Sequence, residues 1–400
     1  MKKIKIIVGL NFGDEGKGLT VSYLCNQSKN PLVIRFSGGQ QAGHTVVHEG
    51  NRHVFSNFGS GTMQGHPTYW SEYCTFSPLG VLNEHNALKK IKGLEPKLFV
   101  HPLCPVTTPY DRVFNCQLEK SNQHGSCGVG VGSTIQRQED YYKLFVQDLF
   151  HENVLIQKLQ NIKNYYAKKL AISNPYIDEK MGVNMDDFIH IVNEVKKIIT
   201  VDNGSELLSQ NGYDLIFEGS QGILLDQDFG FFPNVTRSNT TSKNALSIIN
   251  NDKYLSMINK SDIEIYYITR SYQTRHGNGY MSNENLFGEL NLKNNELETN
   301  VTNEWQGNFR KSVLDIDLLK YAFQCDSNFS HGITKHLVVT CVDQTGDIIP
   351  VTINNGDNNI LYNIHIEELP TRLPVNFKNV YISRGDTTDK MSVIYLNNHI

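Results

Sequence analysis

The stretch Gly9-Leu-Asn-Phe-Gly-Asp-Glu-Gly-Lys-Gly18 constrains this chain more than any other. It follows the apolar run Ile4 to Val8, which reads as a first strand, and precedes Leu19 to Cys25, whose apolar spacing opens a helix. A strand, a glycine-rich turn and a helix in that order set the N-terminus in an α/β architecture. The turn leaves several backbone N–H groups unpaired at the helix N-terminus, where the helix dipole adds to their attraction for a phosphate. Lys17 supplies a point charge beside them. The usual phosphate loop, however, carries a serine or threonine where Gly18 stands, and it has no equivalent of Asp14 and Glu15. Two roles suit an acid beside a polyanion: holding a magnesium ion between phosphates, or serving as general base on the acceptor. The alternative is a glycine-rich turn with a solvated acid pair.

Charge excludes some partners. With 37 basic and 41 acidic residues among 400, the chain has no electrostatic footprint for nucleic acid or an anionic membrane, and a small anionic ligand in a local pocket remains. A 39% hydrophobic content with 10% aromatic residues is enough to bury an ordinary core. The seven cysteines are scattered, with no Cys-x-x-Cys pair, which argues against zinc and disulfides and for a reduced, cytoplasmic protein. No stretch is apolar for membrane-spanning length.

Three further strand ends carry polar, glycine-containing loops. Pro31 to Phe36 reads as a strand that runs into Ser37-Gly-Gly-Gln-Gln-Ala-Gly-His-Thr45, presenting His44 one β–α unit after Asp14. Tyr213 to Phe217 reads as a buried strand ending in Glu218-Gly-Ser-Gln-Gly222, where Gln221 is placed to bond a base or an oxyanion. Ile263 to Arg270 is another strand, followed by Ser271-Tyr-Gln-Thr-Arg-His-Gly-Asn-Gly279. The loop Ser121 to Thr134, rich in glycine and hydroxyls, suits a monophosphate, with Ser126 within it and Arg137 as a nearby partner. Asn234 to Thr241 clusters hydroxyls ahead of a helix. Residues 138 to 200 read as an inserted helical lobe, Leu314 to Cys325 as a helix, and His336 to Asp343 as a late strand with an acid at its end. In a mostly parallel sheet these loops converge in the crevice at the carboxyl edge, which predicts an enzyme with two phosphate-bearing ligands.

Taken together, Gly13-Asp-Glu-Gly-Lys-Gly18, Gly38-Gly-x-x-Ala-Gly-His-Thr45, Phe217-Glu-Gly-Ser-Gln-Gly-x-Leu-Leu-Asp226, Pro233-x-Val-Thr-x-Ser-Asn-Thr-Thr241 and Thr274-Arg275 resemble the adenylosuccinate synthetase family. The resemblance implies one domain over residues 1–400: a large, mostly parallel central sheet flanked by helices, a P-loop-like GTP-binding ligase fold with the helical lobe inserted, in a homodimer. It implies GTP-dependent joining of L-aspartate to IMP through a 6-phosphoryl intermediate, giving adenylosuccinate, GDP and phosphate. In that scheme Asp14 takes the N1 proton and, with the Gly43 carbonyl, ligates Mg2+. His44 acts as the acid, and Lys17 stabilises the transferring phosphoryl group. GTP lies against Gly13, Glu15, Gly16 and Gly18, with Asp343, Ser383 and Gly385 at the guanine. Gln221 holds the 6-oxyanion, Thr236 the 5′-phosphate, and Gln41, Ser126 and Arg137 complete the IMP contacts. In the loop Val301 to Arg310, only Thr302 and Arg310 match the family's aspartate clamp. Another purine monophosphate such as GMP or dGMP, another amino donor, or a nucleotide-binding protein without turnover is the alternative.

Overall fold

The computed structural model describes residues 2–122, 127–209, 212–293, 298, 307–354 and 359–394. Its centre is a sheet of β1 (Ile4–Gly9), β2 (Pro31–Arg35), β3 (Thr68–Trp70), β4 (Leu98–Val100), β5 (Ile199–Val201), β6 (Asp214–Glu218), β7 (Ile263–Arg270), β8 (Thr334–Thr340), β9 (Asn379–Ser383) and β10 (Met391–Ile394). Their spatial order is β10-β9-β8-β7-β1-β6-β2-β3-β4-β5. All neighbours are parallel except the edge pair β9 and β10. The chain runs outward from β2 to β5, returns to place β6 between β1 and β2, then crosses β1 and runs outward the other way from β7. Strand order therefore reverses around β1, where open α/β sheets form their binding crevice.

The largely apolar composition of the middle strands follows from burial on both faces. All six residues of β1 are buried. Ile4, Ile6 and Val8 point to one face and pack with Ala245, Ile248, Leu319 and Phe323, from the helices Lys243–Asn251 and Ile316–Ser330. Ile7 points to the other face, against Val21 and Leu24 of α1 (Lys17–Asn26). The period of two along the strand sorts its side chains between the two helical layers.

The helical segment begins earlier than the sequence pattern suggests. It joins the adjacent strands β4 and β5, starts with the helix Pro109–Asn122, and continues through Val131–Glu139, Glu152–Lys169, Ile177–Met181 and Met185–Val195. Thr200, read as helix, lies in the edge strand β5. Pro109 reads as a turn residue in sequence, yet it is the first residue of a helix, where a missing N–H costs nothing. The helix expected from Leu314 is set back because Asp315 caps it, accepting the N–H of Asp317 at 2.9 Å and of Leu318 at 3.2 Å. Likewise β8 stops at Thr340, because Cys341 takes φ 60° and turns the chain, leaving Asp343 in the short helix Val342–Thr345. Two hairpins outside the main sheet matter below: His44–His48 with Asn51–Phe55, and Gln273–His276 with Phe309–Ser312. Among the described residues no helix is long and apolar enough to cross a membrane.

Candidate active site

The four strand ends singled out by their loops are β7, β1, β6 and β2, which are neighbours in the sheet. Their loops open into one crevice of about 1590 Å³. That is more than a single drug-sized ligand fills, so there is room for two nucleotides side by side.

The first loop is shaped by its glycines. Gly13 and Gly16 take φ 93° and 86°, and Asp14 between them takes φ 57°. A Cβ on Gly18 would sit 2.8 Å from the Thr45 carbonyl and 3.1 Å from the His44 Cβ. The hydroxyl of the usual phosphate loop is thus excluded by the second loop, which packs where that side chain would go. Lys17 is buried and donates to the Gln221 carbonyl at 2.5 Å, linking the first loop to the third. Burial lowers the Lys17 ammonium, opposed by Glu15 and Asp14. Glu15 turns down into the floor. Its Oε1 accepts the Asn11 N–H at 2.7 Å, and burial pushes its carboxyl up to about 7 against the pull of Lys17. Asp14 turns outward and stays partly exposed, with Oδ2 3.3 Å from His276 Nε2.

His44 starts its hairpin strand with Nδ1 2.6 Å from Glu218 Oε1. Burial would raise Glu218, but His44, Arg35 and Ser60 outweigh it and hold the carboxyl at about 2. Burial also drives the His44 imidazole down to about 4 despite the carboxylate. The ring is therefore neutral at pH 7, with Nδ1–H donating to Glu218 and the Nε2 lone pair left over. That nitrogen is buried without a partner, as are Glu15 Oε2, both amide atoms of Gln41, Gln221 Oε1 and Arg275 Nε. Buried polar atoms without partners cost about 1–3 kcal/mol each, a cost that a polar ligand bound in the crevice would offset for those of its lining residues.

Of the residues read from sequence, the crevice wall holds Gly13, Asp14, Glu15, Gly16, Lys17, Gly18, Gln41, Gly43, His44, Gln221, Thr236, Asp343 and Gly385. Three readings change. Arg137 is fully buried and spends its guanidinium inside the helical lobe. Nε lies 2.8 Å from Asp111 Oδ1, and Nη2 lies 3.1 Å from Asp111 Oδ2 and 2.7 Å from the Val106 carbonyl. It is a scaffold residue, with no donor left for a phosphate. Ser383 is buried behind the wall, its hydroxyl donating to the Gly385 carbonyl at 2.7 Å. Arg310 pairs with Glu284 at 2.7 Å and donates to the Gly279 carbonyl at 2.8 Å, while its cross-strand neighbour Arg275 reaches the crevice. Ser126 and Thr302 lie outside the described residues.

Sequence reasoning passed over Glu218, Arg270 and His276 as site residues. Glu218 was legible only as the residue before Gly219, whereas Arg270 and His276 reach the site through long-range packing. Among the described residues no cluster of three or more His, Cys, Asp or Glu side chains is placed to hold a metal by itself. The donor set of the Asp14 carboxylate and the Gly43 carbonyl beside a phosphate cradle nevertheless fits Mg2+, which takes few protein ligands and completes its shell with phosphate oxygens and water.

A reversal crevice with a phosphate-cradling first loop and an outward carboxylate defines a nucleotide-dependent α/β enzyme. The model of the adenylosuccinate synthetase family matches residues 6–372, and the chain belongs to that family of carbon–nitrogen ligases. The adenylosuccinate synthetase of Picrophilus torridus is 26% identical over 398 residues, covering 97% of this chain and 89% of its own length. The fully ligated adenylosuccinate synthetase of Plasmodium falciparum has the same fold, with a TM-score of 0.72 at 15% identity, covering 97% of this chain and 99% of that one. A second structure of this fold is the succinoaminodeoxyadenylate synthetase of cyanophage S-2L bound to dGMP and dATP, with a TM-score of 0.62 at 16% identity, covering 98% and 95%.

Proposed function

We propose that this protein joins L-aspartate to IMP at the expense of GTP, through 6-phosphoryl-IMP, as a cytoplasmic homodimer. The observation that carries the reading is the meeting of Asp14, Lys17, His44 and Gln221 in the wall of one crevice.

The chemical difficulty is that the purine 6-oxygen is a poor leaving group. Asp14 removes the N1 proton, charge moves to O6, and O6 attacks the γ-phosphorus as the bond to GDP breaks. Lys17 and the N–H groups of the first loop stabilise the charge spread over the transferring phosphoryl oxygens, a task of positioning and electrostatics. For this Lys17 exchanges the Gln221 carbonyl for phosphate. Gln221 then donates its amide to O6, Gln41 contacts the same nucleotide, and Thr236 its 5′-phosphate. His44 rests neutral. An incoming phosphate dianion favours its imidazolium, which Glu218 supports from the other nitrogen, and His44 is then the acid beside the phosphate. The amine of aspartate finally displaces phosphate at C6. Asp14 and the Gly43 carbonyl would hold Mg2+, whose contribution when bound is to neutralise phosphate charge. Gly13, Glu15, Gly16 and Gly18 form the GTP cradle, with Asp343 and Gly385 at the base.

Two observations keep the nucleotide pair and the donor under test. The fold is shared with an enzyme bound to dGMP and dATP, and Arg310 is engaged with Glu284. The assay is phosphate release from GTP or ATP with IMP, GMP or dGMP, each with and without L-aspartate, and products identified by mass. The expected result is release that requires GTP, IMP and aspartate, with a succinylated purine nucleotide formed. Hydrolysis indifferent to the purine monophosphate would overturn the proposal. Asp14→Ala should abolish ligation while GTP still binds, and a fully active variant would sink the assigned mechanism.

A further inference from the structure

The end of β7 and the segment after it touch the first loop at three points. Arg270 Nε donates to the Asp14 carbonyl, Thr274 Oγ1 lies 3.5 Å from the Gly13 carbonyl, and His276 Nε2 lies 3.3 Å from Asp14 Oδ2. The first two contacts fix backbone. The third reaches the carboxylate itself.

His276 is itself fixed. It ends the hairpin strand Gln273–His276 directly across from Phe309, and the two rings lie 4.7 Å apart at 40°. Its side chain is 14% exposed, so the ring has little freedom to swing into solvent. The Asp14 side chain, at 24% exposure, is looser, and its backbone sits at φ 57° in a loop whose neighbours are glycines. A short carboxylate on such a loop, close to the Lys17 ammonium, needs a second anchor to keep one rotation.

We propose that His276 is a positioning residue for Asp14. Its Nε2, 3.3 Å from Oδ2, braces the carboxylate on that side, limits its rotation and keeps it turned toward the purine N1 proton. This rests on the reading of Asp14 as the base. The role is geometric, and a neutral imidazole suffices for it.

The test compares wild type, His276→Phe, His276→Gln and Asp14→Asn in the phosphate-release assay, with melting temperatures measured alongside. Phenylalanine keeps the packing on Phe309 and removes the Nε2 brace, whereas glutamine places an N–H near the original Nε2. His276→Phe is expected to lower kcat about 10- to 100-fold, the range for losing a partner that orients a reacting group. KM for both nucleotides should stay within about threefold, since binding contacts common to ground and transition states are untouched. His276→Gln should recover most of the lost kcat. Full kcat in His276→Phe, a failure of glutamine to rescue, or a KM change as large as the kcat change overturns the positioning role. Wild-type release that ignores the purine monophosphate instead overturns the reading of Asp14. An inactive Asp14→Asn beside a fully active His276→Phe overturns this inference alone.

Discussion

Arg137→Met tests whether the helical lobe uses this arginine as scaffold or as a phosphate ligand. Arg137 and Asp111 are both fully buried and paired through two nitrogen–oxygen contacts of 2.8 and 3.1 Å. Removing the cation leaves the Asp111 carboxylate with only neutral donors: the Tyr166 hydroxyl at 2.6 Å, and the Thr108 N–H and hydroxyl, each at 2.7 Å. Breaking one side of a buried pair costs about 3–5 kcal/mol, because the remaining charge stays desolvated. For 400 residues the unfolding entropy is about 0.8 kcal/mol per degree, so the melting temperature should fall by about 4 to 6 °C. Adding Asp111→Asn removes the stranded charge and should return about half of that loss or more. KM for the purine monophosphate should stay within about threefold, since no binding contact is removed. Scanning calorimetry and the phosphate-release assay read the two quantities separately. A variant that melts within a degree of wild type but binds the monophosphate tenfold more weakly would refute the scaffold assignment.

Glu15→Gln should stabilise the protein in alkaline but not in acid conditions. The native carboxyl is raised from 4.5 to about 7, so the native state binds the proton more tightly than the unfolded chain. The resulting stability, about 3 kcal/mol from 2.5 units at 1.36 each, is full below pH 4.5 and is lost as pH rises through 7. Glutamine does not titrate, so the melting temperature of the variant relative to wild type should rise by about 4 °C between pH 4.5 and 8. A constant difference across that range would show an ordinary carboxyl at this position. Gly18→Ser restores the residue of the usual phosphate loop but puts a Cβ 2.8 Å from the Thr45 carbonyl. The overpacking should cost about 1–3 kcal/mol and displace the loop carrying His44. Ligation should fall at least about tenfold, with no gain of monophosphate-independent GTP hydrolysis. A stable variant with wild-type turnover would mean that the two loops are not packed as described.

The parallel core and its convergence were legible because they rest on local signals. Largely apolar strands such as Ile4 to Val8 and Ile263 to Arg270, each leading into a polar loop with glycine, announce a doubly covered sheet with a ligand edge. Asp14, Lys17, His44 and Gln221 lie within those loops, so reading the loops also named the residues. What failed to show in sequence depends on which distant segments touch. Arg137 looks like a phosphate ligand beside a glycine-rich loop, and only the pairing of its helix with Asp111, 26 positions earlier, reveals that it is already satisfied. Gly18 looks like a missing magnesium ligand until the second loop is seen to occupy the space. His276 lies in another of these strand-end loops, but nothing local singles it out there. Its place beside Asp14 depends on a hairpin whose second strand comes 33 positions after the first, counted from His276 to its partner Phe309. A loop motif thus names groups that line the crevice, and the long-range contacts of β7 and its hairpin decide what packs around them.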